Sequence, residues 1–291
     1  MSSPDSAPPR TAVGRVWLIT GTSSGFGRAI AEAALAAGDT VVATARRPET
    51  LDDLVAAHPD RATAVQLDVT DGARIAAVVA EVLLWYGRVD VLVNNAGHGQ
   101  VGAVEETTDR ELRDLMDLHF HGPAALTRAV LPGMRKQKSG AIVQISSFGG
   151  QVAYPGFSAY CATKFALEGL SEALAAEVAP HGIKVMIVEP GAFRTKFSGG
   201  GLHQSAELPA YAETVGQTRQ FITGIDGTQP GDPARAATAI VAALDSDKTP
   251  LRLPLGDDAY DGLLAHLDAV REELTAWESV ARNVNFPDVS A

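Results

Sequence analysis

A short apolar strand that runs directly into a glycine-rich turn and a helix is the feature that most constrains how this chain can fold. Residues 15–20 (RVWLIT) read as a buried strand, and Gly21, Gly25 and Gly27 follow before an alanine-rich helical run that ends at Gly38. Glycines let the backbone approach a phosphate closely, and the free N–H groups and dipole of the next helix attract an anion. The spacing G-x-x-x-G-x-G differs from the usual G-x-G-x-x-G. A phosphate site and a purely structural turn are the two interpretations, and the site would consist of Gly21, Thr22, Ser23, Ser24, Gly25, Phe26 and Gly27.

Strand-like and helix-like segments alternate without a linker from about residue 15 to about residue 255. The chain has 291 residues, 46% of them hydrophobic, which is enough material for one large core. Such alternation is typical of a parallel sheet with helices on both faces. We predict a disordered arm over residues 1–13, one doubly wound α/β domain over residues 14–256 and a C-terminal helical extension over residues 257–291.

The second predicted strand, residues 40–44, is followed by Ala45, Arg46 and Arg47. In a dinucleotide-binding sheet, an acid at this point bonds the ribose 2′-hydroxyl of NAD, whereas an arginine suits the 2′-phosphate of NADP. The acid is absent and arginine is present. This strand end therefore favours NADP(H) over NAD(H), with a solvated pair of loop arginines as the alternative.

The third predicted strand, residues 63–67, ends in Asp68 and Val69. An acid at the end of a strand can accept a hydrogen bond from an adenine amino group. It can equally cap the helix that begins near Asp71. Both interpretations of Asp68 are open at this point.

The fourth predicted strand, residues 89–93, continues into a short polar loop. Two asparagines followed by small residues suit a tight turn that packs beside a flat ring and bonds neighbouring backbone. Structural bracing and ligand contact are equal alternatives for this loop. The residues assigned to ligand contact are Asn94, Ala96 and Gly97.

Three side chains near a later strand end have the chemistry of a proton-transfer site. Residues 141–145 form an apolar run that leads to Ser147, and a helix beginning just before Tyr160 places Tyr160 and Lys164 on one face. A free phenol titrates at about pH 10, and a fixed ammonium nearby lowers that pKa by roughly 1–3 units. We therefore expect Ser147 at the edge where open sheets hold ligands, and Lys164 to lower the pKa of Tyr160. Without Ser147, an amphipathic pair with no function would be the simpler interpretation of Tyr160 and Lys164.

The next segments predict a bent helix and a further strand. Residues 108–128 are helical in pattern, and Gly122 and Pro123 favour a bend within them. Residues 160–180 form a second long helix. Residues 184–189 form a strand that runs into Pro190, Gly191, Ala192, Phe193, Arg194 and Thr195.

The C-terminal third predicts a lid, an edge strand and a docked helix. Residues 193–231 have the composition of a mobile lid over an apolar pocket. Residues 251–255 contain a proline, which an edge strand tolerates. An amphipathic helix follows, and we expect its apolar face to dock on the core of the domain. That face consists of Leu263, Leu264, Leu267, Val270, Leu274 and Trp277.

Charge and cysteine content exclude several classes of partner. The net charge of -11 argues against nucleic acid and against anionic membranes, and no apolar run reaches the length of a membrane span. Cys161 is the only cysteine, which fits a reducing compartment. We predict a cytoplasmic protein without a metal site.

These motifs occur in the order and at the spacing of short-chain dehydrogenases/reductases, and the chain resembles that family from about residue 16 to residue 255. The stretch that starts at Tyr160 (YCATKFALEG) is most similar to the hydroxysteroid and retinol dehydrogenase-like branch. The resemblance implies a Rossmann fold with a seven-stranded parallel sheet flanked by helices. The motifs that carry it are Thr20-Gly21-x-x-x-Gly25-x-Gly27, residues 94–97 (NNAG), Ser147, Tyr160-x-x-x-Lys164 and Pro190-Gly191-x-x-x-Thr195.

The resemblance also implies hydride transfer between a nicotinamide and a ketone or secondary alcohol. It makes Tyr160 the general acid/base and Ser147 the donor that positions the substrate oxygen. It makes Lys164 a ligand of the nicotinamide ribose and the charge that lowers the pKa of Tyr160, and Thr195 a partner of the carboxamide. Tyr160 and Lys164 would thus both contact the cofactor. The remaining cofactor contacts are assigned to Asp68, Val69, Asn94, Ala96, Gly97, Pro190, Gly191 and Phe193.

One position departs from the family pattern. His119 stands where the family usually has an asparagine, whose backbone carbonyl holds a water that links the lysine to solvent. The backbone carbonyl of His119 can hold the same water if the helix of residues 108–128 bends near His119 as predicted. Its side chain titrates at about pH 6.5 when free, so it either joins the proton relay or merely packs.

The combined hypothesis is an NADP(H)-dependent carbonyl reductase for a medium-sized apolar ketone, with a small-molecule carbonyl or alcohol as its partner. A dinucleotide-binding regulator without turnover and an NAD-dependent alcohol dehydrogenase are the alternatives. The intact set of Ser147, Tyr160 and Lys164 disfavours the regulator, and Arg46 disfavours NAD. The resemblance and the outer faces of the two long helices together predict a homodimer or homotetramer, with coverage of these faces by the C-terminal extension as the alternative.

Overall fold

A parallel sheet of seven strands lies at the centre of the protein. The computed structural model describes residues 11–286, and its strands are β1 (Val16–Thr20), β2 (Thr40–Ala45), β3 (Ala62–Gln66), β4 (Val91–Asn94), β5 (Gly99–Val101), β6 (Gly140–Ile145), β7 (Ile183–Pro190), β8 (Leu202–Gln204) and β9 (Arg252–Leu255). The large sheet has the order β3-β2-β1-β4-β6-β7-β9, with all neighbours parallel. The strands β5 and β8 form a separate parallel pair. The proline-containing strand β9 lies at an edge, as predicted.

Helices cover both faces of this sheet. Within the described part of the chain they are α1 (Gly25–Ala36), α2 (Asp52–Ala57), α3 (Gly72–Tyr86), α4 (Asp109–Met116), α5 (Gly122–Gln137), α6 (Ser158–Val178), α7 (Val215–Gly224), α8 (Pro233–Asp245), α9 (Asp257–Ala276) and α10 (Glu278–Arg282). Trp17 and Ile19 of β1 pack in one core with α1 and α8, whereas Val16 and Leu18 pack in another with α3 and α5. Successive residues of the strand thus serve opposite layers. The doubly wound Rossmann fold is confirmed.

The strand order reverses beside β1, and this reversal positions a cleft. The chain moves outward from β1 through β2 to β3, crosses back to β4 on the other side of β1, and then continues outward to β9. Loops at the carboxyl ends of β1 and β4 diverge at such a switch point and leave a crevice where ligands bind. The glycine turn and the loop of residues 94–97 both begin there.

The helix predicted over residues 108–128 is longer than expected and does not break. A π-helical turn over Asp117–His121 joins α4 to α5, which continues to Gln137. Pro123 has no N–H, so the carbonyl of His119 lacks the partner that an α-helix would give it. π-helical turns are frequent at functional sites. The predicted bend is therefore a wide helical turn that contains His119.

The predicted lid, residues 193–231, has regular structure of its own. Its strand β8 pairs with β5, which follows the loop of residues 94–97. Arg219 of α7 and Glu106 are both buried, and they form an ion pair with an Nη2–Oε2 distance of 2.7 Å. The lid is thus attached to the domain through both β8 and α7.

The C-terminal extension differs from the prediction. Leu263 of α9 is buried, whereas Leu267, Leu274 and Trp277 are 48%, 69% and 62% exposed. The expectation that this apolar face docks on its own core is therefore wrong beyond the start of α9. No helix between residues 11 and 286 has both the length and the apolar character needed to cross a membrane.

The predicted N-terminal arm is described only in part. Residues 1–10 of this arm lie outside the described residues. The backbone N–H of Val13 donates to the Thr40 hydroxyl, which in turn donates to the Val13 carbonyl, each at 3.0 Å. The end of the arm is therefore attached to the start of β2.

Candidate active site

The glycine turn after β1 is held against the loop after β4. The Thr20 hydroxyl accepts hydrogen bonds from the N–H groups of Asn95 (2.9 Å) and Ala96 (3.0 Å). Gly21 follows with a φ of 68°, and a Cβ there would lie 2.8 Å from the Cα of Ala96. Glycine alone combines this backbone conformation with so close an approach. The two loops therefore form one wall of the cleft, and Gly97 also lines it.

The N-terminus of α1 opens into this cleft without a side-chain cap. Ser24 precedes the helix but makes no capping hydrogen bond, and the first turn contains no acidic residue. Unpaired N–H groups at a helix N-terminus, together with the helix dipole, bind anions. The cleft here is a polar cavity of about 570 Å³, lined in this part by Ser23, Ser24, Gly25 and Phe26. This end of α1 fits a phosphate group.

Thr22 and Gly27 support the turn from behind instead of lining the polar cavity. The Thr22 side chain is buried, and its hydroxyl donates to the Thr44 carbonyl of β2 at 3.0 Å. Gly27 packs so closely on the carbonyl of Gly21 that a Cβ would overlap it. Thr22 and Gly27 therefore determine the shape of the turn and do not contact the cavity themselves.

Arg46 and Asp68 lie at the far end of the polar cavity, together with Val69. Arg46 is exposed, and its guanidinium makes no hydrogen bond or ion pair to residues 11–286. Asp68 accepts hydrogen bonds from the N–H (3.0 Å) and hydroxyl (2.8 Å) of Thr70. The cap of α3 is Asp71, so the alternative in which Asp68 caps that helix is wrong. A cation and a carboxylate are therefore both available at this end.

The two asparagines after β4 have different surroundings from those expected. Asn94 is the last residue of β4, and its amide donates to Gln144 (3.0 Å), its neighbour in β6. Asn94 is buried in the interior and does not line the cavity. Asn95, which we did not assign to ligand contact, lines the cavity and donates to the Thr20 carbonyl at 2.8 Å. The side chain available to a ligand is therefore that of Asn95.

Ser147, Tyr160 and Lys164 come together beyond the end of β6. The Ser147 Oγ accepts the N–H of Gly149 at 3.0 Å, and the Ser147 side chain lies near enough to the Tyr160 hydroxyl to favour its ionised form. Lys164 lies one turn further along α6. Its Nζ donates to the Ile145 carbonyl at 2.9 Å and lies 5.7 Å from the centre of the Tyr160 ring. A phenol, a second hydroxyl and a buried amine thus lie close together, and we call these three side chains the catalytic corner. Ser147 and Tyr160 line the apolar cavity described below, whereas Lys164 is buried behind them and lines neither cavity.

Burial dominates the ionisation of the catalytic corner. Burial raises the pKa of Tyr160 above its usual value, and the neighbouring Ser147 side chain opposes this only in part. Burial also lowers the pKa of Lys164 to about 8, although the charge of Glu168 raises it. The expectation that Lys164 lowers the pKa of Tyr160 is therefore wrong for the protein alone, because removal from water penalises the charged form of each group. At neutral pH, Tyr160 carries its proton and is a donor.

His119 lies behind Tyr160 with both ring nitrogens occupied. The Nε2 accepts the N–H of His98 at 3.3 Å, and the Nδ1 lies 2.9 Å from the Thr163 hydroxyl. Because Nε2 is an acceptor, Nδ1 carries the proton and donates it to Thr163. Burial, with a smaller effect from Lys164, lowers the pKa of His119 well below its usual value. The ring is therefore neutral, and the geometry favours packing over a proton relay through it.

A second cavity, apolar and about 480 Å³ in volume, lies beside the catalytic corner and has Ser147 and Tyr160 in its wall. Phe26, Thr195 and Phe197 line both cavities, so the polar and apolar cavities meet at these residues. Pro190, Gly191 and Phe193, which we assigned to the cofactor, line the apolar cavity only. The rest of its apolar wall consists mainly of Phe148, Val152, Tyr154, Phe157, Phe221, Ile222 and Ile225.

A sequence profile of the family described as short chain dehydrogenase matches residues 15–204, which contain the glycine turn and the whole catalytic corner. The chain belongs to the short-chain dehydrogenase family. Its relatives include Oxidoreductase BOA17 of Botryotinia fuckeliana, which is 39% identical over 262 residues, or 89% of this chain and 96% of that protein.

Solved structures agree with membership of the short-chain dehydrogenase family. A crystal structure of a short-chain dehydrogenase from Streptomyces avermitilis is 68% identical in sequence, covers 94% of this chain and 98% of its own, and has a TM-score of 0.89. A short chain dehydrogenase from Burkholderia cenocepacia J2315, crystallised in complex with NADP, is 27% identical, covers 90% and 96% of the two chains, and has a TM-score of 0.70.

In this short-chain dehydrogenase, two histidines beside the cleft gave no sequence signal. The rings of His98 and His203 stack with their centres 3.9 Å apart, and both residues line the polar cavity. His98 precedes β5 and His203 lies in β8, so only the pairing of these distant strands brings them together. Burial, above all, lowers the pKa of His98. The stacked pair therefore adds an aromatic surface to the cavity wall.

Proposed function

We propose that this short-chain dehydrogenase is an NADP(H)-dependent carbonyl reductase. Its substrate would be a ketone, or in reverse a secondary alcohol, of medium-sized and largely apolar type. The observation that carries the proposal is that the neighbouring side chains of Ser147 and Tyr160 both line the apolar cavity, close to where the polar cavity joins it. A carbonyl oxygen that enters the apolar cavity meets both hydroxyls. We place the reaction in the cytoplasm, with reduction as its main direction.

The polar cavity fits a nicotinamide dinucleotide phosphate. The uncapped N-terminus of α1 suits the pyrophosphate, and the unpaired guanidinium of Arg46 suits a 2′-phosphate. Asp68 has remaining acceptor capacity for an adenine amino group. The complex of the Burkholderia cenocepacia relative with NADP supports this choice.

The side chains of the catalytic corner divide the remaining chemistry among them. When bound, the nicotinamide supplies the hydride. Ser147 orients the carbonyl oxygen, and Tyr160, which is protonated at neutral pH, donates the proton to it. Lys164 holds the cofactor ribose and stabilises the phenolate that this donation leaves. The carbonyl of His119, without its helical partner, is the acceptor that we assign to the route that returns the proton.

NADPH consumption over a panel of ketones and aldehydes tests the proposed function. We expect apolar ketones of medium size to be reduced and short polar carbonyls to react poorly, because the apolar cavity offers few polar partners away from Ser147 and Tyr160. Tight NADPH binding without consumption by any member of the panel would contradict the reductase. That result would instead favour a regulator without turnover.

NADPH should bind about ten- to a hundredfold more tightly than NADH. A charge-assisted contact between arginine and phosphate at a partly exposed site contributes about 1.5–3 kcal/mol. Because Arg46 is exposed, the preference should weaken as the salt concentration rises. Fluorescence titration of both cofactors at two salt concentrations measures this preference.

The adjacent arginine provides the matched control for the cofactor preference. Arg46→Gln should abolish the preference, whereas Arg47→Gln should retain it, because Arg47 is exposed but is not among the residues that line the polar cavity. Adding Ala45→Asp to Arg46→Gln should invert the preference, since a carboxylate repels the phosphate and bonds a free hydroxyl. Equal affinity of the wild type for both cofactors would contradict the NADP(H) assignment.

We also propose a homodimer or homotetramer that uses the outer faces of α4 and α6. Leu112 of α4 and Phe165 of α6 are both exposed, and a twofold axis would pair these faces with themselves. Light scattering at micromolar concentration should give a mass of two or four chains, and Phe165→Glu should reduce it. Leu274→Glu, on the exposed face of α9, should not. A single-chain mass for the wild type would rule out the oligomer, and dissociation only in Leu274→Glu would assign the interface to the extension.

A further inference from the structure

Two buried carboxyl groups lie next to the catalytic corner, and the chemistry described above does not use them. Glu168 lies one turn beyond Lys164 in α6, and Glu189 lies in β7. Their side chains are 4% and 1% exposed, and the two carboxyl groups contact each other. Acidic side chains are almost never buried to this extent unless they are paired. The pair therefore needs a compensating partner.

The partners of these carboxyl groups do not balance two negative charges. One oxygen of Glu168 accepts from the Ser146 hydroxyl at 2.6 Å, and one oxygen of Glu189 accepts from the Gln151 amide. Arg252 faces both groups, but its Nε is 3.5 Å from an oxygen of each, which is too long for a well-formed hydrogen bond. The second oxygens of Glu168 and Glu189 have no hydrogen-bond partner in the described residues. One proton held between them would satisfy both oxygens and remove one charge.

The ionisation of the two groups is consistent with one shared proton. Burial, together with the charge of Glu168, raises the pKa of Glu189 to about 8. Burial also raises the pKa of Glu168, while hydrogen bonds from Ser146 and Glu189 lower it. The pKa shift is upward for both groups, as expected when two carboxyl groups hold one proton and one charge between them. The proton is released with an apparent pKa that belongs to the pair.

Glu168 contacts the catalytic corner through the residues directly before Ser147. Lys164 bonds the last carbonyl of β6, and Glu168 bonds the hydroxyl of the next residue, Ser146. A Cβ on Gly150 would overlap both the Glu168 carboxylate and the Ser146 hydroxyl, so the loop that carries Ser147 closes directly over this bond. The charge of Glu168 also raises the pKa of Lys164, against the effect of burial. Glu168 therefore acts on two members of the corner.

We propose that Glu168 and Glu189 share one proton and form a positioning pair that fixes Ser147 and keeps Lys164 charged for the reaction. This proposal rests on the roles of Ser147 and Lys164 in the proposed function. The charged groups that face the pair are Lys164 and Glu172 from α6 and Arg252 from β9, and the neutral ones are Ser146 and Gln151.

Unfolding of the protein without cofactor tests the shared proton. Because the pKa of Glu189 is raised from 4.5 to about 8, the native state binds a proton that the unfolded chain has released, and the free energy of unfolding should fall as pH rises between these values. Glu189→Gln supplies a permanently neutral partner and should remove this fall. Glu172→Gln is the matched control, since Glu172 also bonds Arg252 but is exposed, and it should retain the fall.

Urea unfolding at pH 5, 6, 7 and 8 measures these slopes. His98, His119 and Lys164 also have shifted pKa values, but they are present in all of the proteins and cancel when slopes are compared. Equal slopes in the wild type and Glu189→Gln would overturn the shared proton. We expect Glu172→Gln to keep the wild-type slope of unfolding free energy against pH, and Glu189→Gln to lose it.

The pH dependence of NADPH oxidation tests the positioning role. Glu168→Gln loses the charge that raises the pKa of Lys164. In a plot of kcat against pH, the decline at high pH (the alkaline limb) should therefore begin about one pH unit lower than in the wild type. Its kcat at pH 7 should fall by about tenfold or more, because Ser147 is less firmly held. Ser146→Ala should lower kcat without moving the limb, since the charge remains. Glu172→Gln should leave both unchanged.

A Glu168→Gln protein with the wild-type limb and the wild-type kcat would overturn the positioning role. If Glu168→Gln does not fold, Ser146→Ala and the Glu189→Gln unfolding slope still decide the question. Absence of NADPH oxidation by the wild type would contradict the proposed function, but the unfolding slopes would still report the shared proton. Turnover by the wild type with unchanged slopes in Glu189→Gln would contradict the pair alone.

Discussion

Replacing Tyr160 with phenylalanine should lower turnover by about 10²–10⁴-fold, the usual contribution of a general acid, while NADPH affinity stays close to that of the wild type. The Tyr160 ring is buried and packs against the rings of His119, Phe157 and Phe197, at centroid distances of 5.5, 5.9 and 5.6 Å. Phenylalanine preserves all three contacts. The change removes only the hydroxyl that lies beside Ser147 and that, in the proposed function, donates the proton.

NADPH oxidation at saturating ketone, with a parallel fluorescence titration of NADPH, measures the effect of Tyr160→Phe. Tyr260→Phe is the matched control, because Tyr260 is exposed on α9 and distant in sequence from the corner. Turnover near the wild-type rate would remove Tyr160 from the role of proton donor. Loss of NADPH binding together with turnover would indicate damage to the fold instead.

Lys164→Met should lower both turnover and NADPH affinity. We expect a loss of about 10²-fold or more in kcat and of about tenfold in affinity, since in the proposed function one side chain both stabilises the phenolate and bonds the ribose. The variant should still fold. Burial lowers the pKa of Lys164 to about 8, so an apolar side chain of similar length removes a charge that the interior disfavours.

Lys184→Met is the matched control for Lys164→Met. Lys184 also donates to a main-chain carbonyl, that of Leu244 at 2.8 Å, but it lies at the start of β7, at the opposite end of the sheet from Ser147. It should keep both turnover and affinity. If Lys164→Met loses turnover alone, the assigned contact with the ribose is wrong.

Local sequence patterns were sufficient to predict the sheet and the glycine turn. The apolar run at residues 15–20 contains β1, which is buried at every position, and the turn and α1 follow as expected. The helix predicted to begin just before Tyr160 begins at Ser158. The secondary structure of such segments depends mainly on residues that are close in sequence, so the sequence pattern alone identifies it.

Side-chain orientation at strand ends was harder to predict. The fourth strand was expected to end at Val93, whereas β4 continues through Asn94. Successive residues of a strand point to opposite faces, so one additional residue in the strand changes which of the two asparagines faces the cleft. It directs Asn94 to Gln144 in the interior and leaves Asn95 to line the cleft.

Burial, which sequence periodicity does not report, explains the other differences. The spacing of Tyr160 and Lys164 predicted that they are close, but it did not predict that removal from water outweighs the attraction between their charges. Periodicity likewise identified the apolar face of α9 without showing that it is exposed. The pair of Glu168 and Glu189 was missed because only the packing of α6 on β7 brings them together.

The pairing of β5 with β8 has a consequence for enzyme engineering. It fixes the part of the lid around His203 beside the polar cavity, whereas Phe221 and Ile222 of α7 line the apolar cavity. Within the lid, β8 and α7 thus line different cavities, the ones proposed for the nucleotide and for the ketone, and the lid residues that line both are Thr195 and Phe197, before β8. A mutant library confined to α7 should broaden or narrow the range of accepted ketones while nucleotide affinity stays constant.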